Sequence, residues 1–342
     1  MKKSHVNIPV FIPHLGCPND CVFCDQRTIS GVTDFSLTDV RGIIENALAT
    51  IDGTGRCAEI AFFGGSFTGI DRALMISLLD LAEEYVESGK VSGIRMSTRP
   101  DYISDEIISI IGKYTLSEVE LGIQSMSDKV LSASRRGHTA TDTERACALL
   151  KSAGIPFVGQ MMTGLPSSTP EDEVYTARRI CEMGAAGCRI YPTVVFKNTC
   201  LAVMAERGEY TPLTVEEAVE RSADVLEVFS ENGVKCLRIG LQDSENLHDP
   251  DKYYAGPAHP ALGELVRGEL FRRRMTDAVE KLTDREFVHV KVPVGAVSMA
   301  VGAHGANREY LKNKFGIKKL KFTQTECLHG YNVTAERIYG SK

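Results

Sequence analysis

The chain has 342 residues, 43% hydrophobic and 25% charged, the composition of an ordinary globular protein of about two domains. This excludes disordered, collagen-like and coiled-coil chains, and no run approaches the roughly 20 apolar residues of a membrane span. The N-terminus, MKKSHVNIPVFIPHLGC, has no long apolar segment, so a cytoplasmic protein without a secretory signal is expected. The formal net charge of −6 is uneven: residues 260–342 carry 15 Lys and Arg against 9 Asp and Glu, and the remainder 24 against 36. A basic end on an acidic body fits either a polyanionic partner or a solvated face.

In chain order, VNIPVFI (6–12) reads as a strand that runs into a cysteine-rich loop, and a helical pattern follows from Thr38 to about Ile51. EIAFF (59–63) is a buried strand ending at Gly64-Gly65. Residues 71–87 are helical, with Leu74, Leu78, Leu81 and Tyr85 at three- and four-residue steps. Strands are then expected at 93–97, 117–123, 156–162, 187–195 and 234–239. Helices are expected between them at 104–112, 141–153, 170–183 and 214–231. The alternation predicts an α/β fold with a parallel sheet under covering helices. Cys17, Gly64, Ser97, Gln124 and Gly164 all fall just beyond strand C-terminal ends. An open doubly wound sheet would use that edge at one switch point, whereas a barrel uses it at many strands. Five loaded strand ends favour a partial (β/α)6 TIM-like barrel. We place it at residues 1–245, with a basic α+β appendage at 246–342 that opens on the polar connector 243–258.

Ten cysteines are too few for a disulfide scaffold of this length. Three are clustered, Cys17-Pro-Asn-Asp-Cys21-Val-Phe23-Cys24, and the others are scattered as core cysteines are. Three thiolates on a [4Fe-4S] unit leave one iron open for a ligand. Zinc is the alternative, with His5 or His14 completing the ligands.

The C-x3-C-x2-C spacing after the first strand, with Phe23 before the last cysteine, resembles the radical S-adenosyl-L-methionine (SAM) superfamily. AFFGGSFTG (61–69), STRPD (97–101), ELGIQS (120–125), RRGHT (135–139) and GLP (164–166) follow in the superfamily's order. Over about residues 8–262 the set resembles the radical domain of the Elongator catalytic subunits and, more distantly, the oxygen-independent coproporphyrinogen oxidases. The resemblance implies that Cys17, Cys21 and Cys24 hold a [4Fe-4S] cluster whose open iron binds SAM. Reduced by a flavodoxin- or ferredoxin-type donor, the cluster would cleave SAM to a 5′-deoxyadenosyl radical. It further implies SAM contacts from Phe23, Gly64, Gly65, Ser66, Ser97, Gln124 and Arg136, with the Gly-Gly loop at the methionyl end and Arg136 at the carboxylate. Gln160 stands where the coproporphyrinogen oxidases have an acidic residue. The roughly 80 residues after the matched region are fewer than the acetyltransferase domain of the Elongator subunits needs, so a stand-alone member is expected.

In the appendage, Gly302-Ala-His-Gly305 lies between two helix-like stretches and is reminiscent of a KH module, whose Gly-x-x-Gly loop clamps a nucleic-acid backbone. Gly302, Gly305, Arg308, Lys312, Lys318 and Lys319 are candidate RNA contacts, and solvated lysines beside a helix cap are the alternative. The expectation is an enzyme that modifies RNA, most simply tRNA. A radical enzyme for a small molecule or tetrapyrrole, and a non-catalytic iron–sulfur protein that binds RNA or haem, remain open alternatives.

Overall fold

A computed structural model describes residues 5–12, 15–17, 21–25, 35–51, 57–241, 247 and 249–338. His14 and part of the connector lie outside the described residues. Seven strands form one parallel sheet: β1 His5–Phe11, β2 Cys57–Phe63, β3 Ile94–Thr98, β4 Leu116–Gln124, β5 Phe157–Thr163, β6 Gly187–Pro192 and β8 Lys235–Ile239, paired in that order. Its first and last strands are not paired, so the barrel is partial. Six strands were expected for the barrel proper, and β8 extends the same sheet as a seventh. The crossovers carry helices α1 Leu37–Ile51, α2 Arg72–Glu87, α3 Asp105–Ile111, α4 Asp128–Ala133, α5 Ala140–Ser152, α6 Pro170–Glu182, α7 Cys200–Glu206 and α8 Val215–Glu231. No helix among the described residues is long and apolar enough to cross a membrane.

Local sequence explains where the helices start. Thr139 with Asp142, Thr169 with Asp172 and Thr214 with Glu217 each form a capping box, which satisfies free N–H groups at the first turn. The strand expected at 187–195 ends instead at Pro192. The chain then turns, and β7 Val195–Phe196 pairs antiparallel with β9 Tyr253–Ala255. Proline offers no N–H to continue the ladder, and Thr193 closes β6 by donating its N–H to the Thr163 carbonyl at 2.9 Å.

The two faces of the sheet differ. Ile8, Val10, Ile60, Phe62, Ile94, Met96, Leu121, Met161 and Ile190 point outward and form the main core with the helices. The alternate residues carry charge. Glu120 is 1% exposed and accepts from Arg189 at 2.7 Å and Gln160 at 2.7 Å. Arg95 pairs with Glu59 at 2.8 Å and Glu118 at 2.8 Å, and His5 lies 2.6 Å from Glu59. Burial alone would raise the Glu59 carboxyl, but His5 and Arg95 hold it below its ordinary value. The inner face is therefore an ionic floor rather than an apolar plug.

At the C-terminal edge, β1 and β2 lock their following loops together. Ile12 donates to the Phe63 carbonyl at 2.7 Å and Ser66 to the Leu15 carbonyl at 3.2 Å. A Cβ on Gly65 would lie 2.4 Å from the Leu15 carbonyl oxygen, and one on Gly16 2.3 Å from that of Ser66. Gly16 also has φ +73°, a left-handed conformation glycine adopts without strain.

Beyond the sheet, α9 Leu262–Glu280 packs on α8. Its Val266 and Leu270 join the main core, while Phe271, Met275 and Val279 join a second core. That second core lies under β10 Phe287–Pro293, β11 Lys319–Thr325 and β12 Thr334–Arg337, ordered β11-β10-β12. The short helices α10 Val297–Val301 and α11 Ala306–Phe315 connect β10 to β11, which run parallel. The sequence reading has no counterpart to β12, a four-residue polar strand.

Two outcomes follow from this packing. Glu120→Ala leaves Arg189 without its buried partner and is expected to cost about 3–5 kcal/mol in urea unfolding; a cost below about 1 kcal/mol would mean the ionic floor is not integral to the fold. Gly65→Ala is expected to cost about 1–3 kcal/mol through overpacking and to lower the iron retained after anaerobic reconstitution. Wild-type iron content would show that the two loops tolerate separation.

Candidate cofactor site

The cysteine loop is pinned on three sides. Beyond its contact with Gly65, the Val22 N–H donates to the Ser134 carbonyl at 3.2 Å, and the Leu201 N–H donates to the Val22 carbonyl at 2.8 Å. Val22 is buried with Val195, Leu201, Ala202 and Tyr210, and Phe23 packs against that patch. The Cys24 N–H closes a turn onto the Cys21 carbonyl at 3.0 Å.

Cations converge on the cysteines. Arg136, 7% exposed, donates through Nη1 to Cys21 Sγ at 3.3 Å and through Nη2 to the Gly122 carbonyl at 2.7 Å. Its Nε is buried without a partner. Arg99 is 3% exposed and is gripped by Asp101 through two bonds of 2.9 Å. Burial pushes the Cys17 thiol above its ordinary range, against the pull of Arg99 and Arg136.

The other expected cofactor residues gather on the same edge. Ser66 is fully buried; its hydroxyl lies 3.0 Å from that of Thr98 and accepts the Arg99 N–H at 3.1 Å. Ser97 lines a narrow recess with Gly65, Ser66, Ile12 and Leu15. Gln124 has φ +63°, at an irregularity where β4 slips register against β5. Its Oε1 is buried with no hydrogen-bond partner. Gly122 leaves room for it: a Cβ there would lie 3.2 Å from Gln124 Nε2 and 3.3 Å from Arg136 Nη2. The Gly164 turn is held by Glu173, which accepts its N–H at 2.6 Å, and by Tyr210, which donates to its carbonyl at 2.7 Å. Gln160 is spent on Glu120 in the floor.

Two residues of this edge, Arg99 and His138, fall within the STRPD and RRGHT motifs but received no cofactor role from the sequence. His138 is 3% exposed, and burial together with Arg136 lowers its pKa to about 4. The signal for Arg99 is a charged residue at a strand end, immediately before a proline that stops the strand.

The donor set fits an anionic iron–sulfur unit with a polar organic ligand. The Cys17 and Cys21 thiols feel two buried guanidiniums, and among the described residues Arg99 Nη1, Arg136 Nε and Gln124 Oε1 are orphaned polar atoms. Among the described residues, no three His, Cys, Asp or Glu side chains converge as on a single metal ion. Thiolates bound to three different irons stand further apart than thiolates bound to one.

The candidate RNA contacts belong to the appendage. Gly302 has φ +81° and ψ 162°, and a Cβ there would meet Asn307 at 2.9 Å. Gly305 also has φ +81°, with nothing within 4 Å of a Cβ. The Arg308 guanidinium lies 5.8 Å from the Phe322 ring centre. Lys312 pairs with Glu309 at 3.7 Å, and Lys318 pairs with Glu286. Lys319 and Lys321 are exposed on the edge strand β11 and form no ion pair among the described residues.

Known proteins share both the sequence and the fold. Residues 11–180 match the radical SAM superfamily, and residues 185–272 match the radical SAM C-terminal domain. An uncharacterised Methanocaldococcus jannaschii protein is 29% identical over 240 residues, 67% of this chain and 73% of that one. The tRNA uridine(34) acetyltransferase of the same archaeon is 37% identical over 128 residues, 36% of this chain but only 24% of that protein. An archaeal Elp3 structure from Methanocaldococcus infernus, lacking residues 1–46, superposes with a TM-score of 0.63 at 23% identity over 80% of this chain and 64% of that one. With its cysteine loop, Gly-Gly loop and buried arginines on the C-terminal edge of a partial parallel barrel, the chain belongs to the radical SAM superfamily of enzymes, which use a [4Fe-4S] cluster and SAM.

Proposed function

We propose that this protein is a cytoplasmic radical SAM enzyme that modifies tRNA. The observation that carries the reading is the 37% identity with a tRNA uridine(34) acetyltransferase. The basic appendage supports it. In this reading Cys17, Cys21 and Cys24 hold the cluster. Gly64, Gly65, Ser66, Ser97, Gln124, Arg136 and Phe23 surround SAM, Arg136 offering its free Nε to the carboxylate. When bound and reduced by a flavodoxin- or ferredoxin-type donor, the cluster and SAM supply a carbon-centred radical. The chain binds, orients and excludes water: Val22 and Phe23 seal the loop against α7, and the ionic floor closes the sheet below.

In this reading the appendage binds the RNA backbone. Gly302 and Gly305 shape the loop that precedes α11, and Arg308, Lys312, Lys318 and Lys319 supply charge. Lys312 and Lys318 are already paired with carboxylates, so Lys319 and Lys321 on β11 contribute most to phosphate binding.

The direct test is anaerobic 5′-deoxyadenosine release by the reconstituted protein with dithionite and SAM, with and without bulk tRNA. Release that rises with tRNA and vanishes in Cys21→Ala is expected. Release indifferent to tRNA would turn the search to small molecules, and none from a fully loaded protein would leave a binding protein. Separately, Lys319→Ala with Lys321→Ala is expected to lower the slope of log K for RNA against log salt by about 2 units. An unchanged slope would remove β11 from the RNA surface.

A further inference from the structure

Arg99 is held more tightly than a turn residue requires. Nε and Nη2 bind the Asp101 carboxylate at 2.9 Å each, and Nη2 also donates to the Arg136 carbonyl. Its backbone N–H is taken by Ser66 at 3.1 Å, and its guanidinium lies 5.9 Å from the Tyr102 ring centre. These contacts tie it to the Gly-Gly loop, to its own strand end and to the Arg136 turn. Nη1 remains: it is buried and, among the described residues, has no hydrogen-bond partner. An unsatisfied buried donor on a charged group is costly, and one at the cysteines is available to a group held there. The Arg99 charge acts on both Cys17 and Cys21. Arg136 already spends Nη1 on Cys21 and Nη2 on Gly122. Arg99 is thus a second buried cation at the cysteines, with a donor still to place.

We propose that Arg99 is a positioning residue that sets the reduction potential of the iron–sulfur unit, its Nη1 donating to a sulfur of the group held by Cys17, Cys21 and Cys24. Hydrogen bonds to the sulfurs and nearby net charge set such potentials. The step concerned is the uptake of one electron from a low-potential reductant, which makes the unit more negative by one charge; no bond forms or breaks. A buried cation with a donor to sulfur stabilises the reduced form more than the oxidised one, because the extra electron sits on the group it faces. Asp101 opposes it in charge while fixing its geometry. The inference rests on the cluster site described above and not on the identity of the substrate.

The test is a potentiometric titration of the anaerobically reconstituted full chain by electron paramagnetic resonance, without RNA and before SAM is added. At the potential that half-reduces the wild type, Arg99→Gln is expected to show a reduced-to-oxidised ratio about tenfold lower, equal to about 59 mV for one electron. Arg99→Lys, which keeps the charge without the planar fork, is expected to recover at least half of that shift on a logarithmic scale. Asp101→Asn is expected to move the ratio the opposite way. A purely structural role would lower iron content without moving the midpoint of the cluster retained. An Arg99→Gln protein with four irons and a wild-type midpoint overturns the proposal. If Arg99→Gln holds no cluster, Asp101→Asn decides, and an unmoved midpoint there overturns it. A wild type that assembles no cluster overturns the reading of the site itself, while a cluster that titrates as described in a chain indifferent to tRNA overturns only the assignment of substrate.

Discussion

The site depends on a backbone contact with no room for a side chain. Gly16 and Gly65 each occupy space that a Cβ could not share with the opposing loop's carbonyls. This contact sets the cysteine loop against the ends of β1 and β2, and the remaining contacts add to it. Val22 is then trapped between Ser134 and Leu201, Cys21 lies against Arg136, and Ser66 reaches both Thr98 and the Arg99 backbone. The loop that carries the chemistry is therefore positioned by neighbouring strand ends rather than by a helix or strand of its own.

Charge is arranged in two layers of the same sheet. Below, Glu59, Glu118 and Glu120 are matched by Arg95 and Arg189, and the matching makes a buried ionic layer tolerable. Above, at the cysteines, the Arg136 guanidinium donates to Cys21, and Arg99, paired with Asp101, acts on Cys17 and Cys21. Buried guanidiniums at that place suit a reduced, anionic iron–sulfur unit. The two layers use buried arginine differently: Arg95 pairs with Glu59, Glu118 and Glu120, whereas Arg99 and Arg136 lie at the cysteines.

Much of this was legible in the sequence, for physical reasons. Parallel strands buried on their helix side write long apolar alternations, so β1 to β6 and helices α1, α2, α3, α5, α6 and α8 appear near their expected positions, whereas the short α4 and α7 had no counterpart. Thr-x-x-Asp and Thr-x-x-Glu patterns mark the starts of α5, α6 and α8. The cysteine spacing and the Gly-Gly turn stand out because few other chemistries need those residues together. The rest was not legible because it depends on long-range pairing. The pairing of Arg95 with Glu59 and Glu118 comes from strand register. The break at Pro192 that sends β7 to β9 needs a partner 57 to 60 residues further on. The polar strand β12 exists only because β10 offers it an edge, and the capture of Lys312 and Lys318 by glutamates cannot be counted from a local tally of basic residues. The resemblance implies a SAM contact at Gly65, and the structure shows that the space its missing Cβ leaves is taken by the backbone of the loop after β1.

The account's central claim is that three cysteines on this edge hold a cluster with one iron open to SAM. It is tested most directly by iron and sulfide analysis of the anaerobically reconstituted protein, followed by electron paramagnetic resonance of the reduced form before and after SAM is added. The account predicts about four irons per chain, their loss in the Cys17, Cys21 and Cys24 variants, and a spectrum that changes when SAM binds. Iron retained without those cysteines, or a reduced cluster whose spectrum is indifferent to SAM, would contradict it.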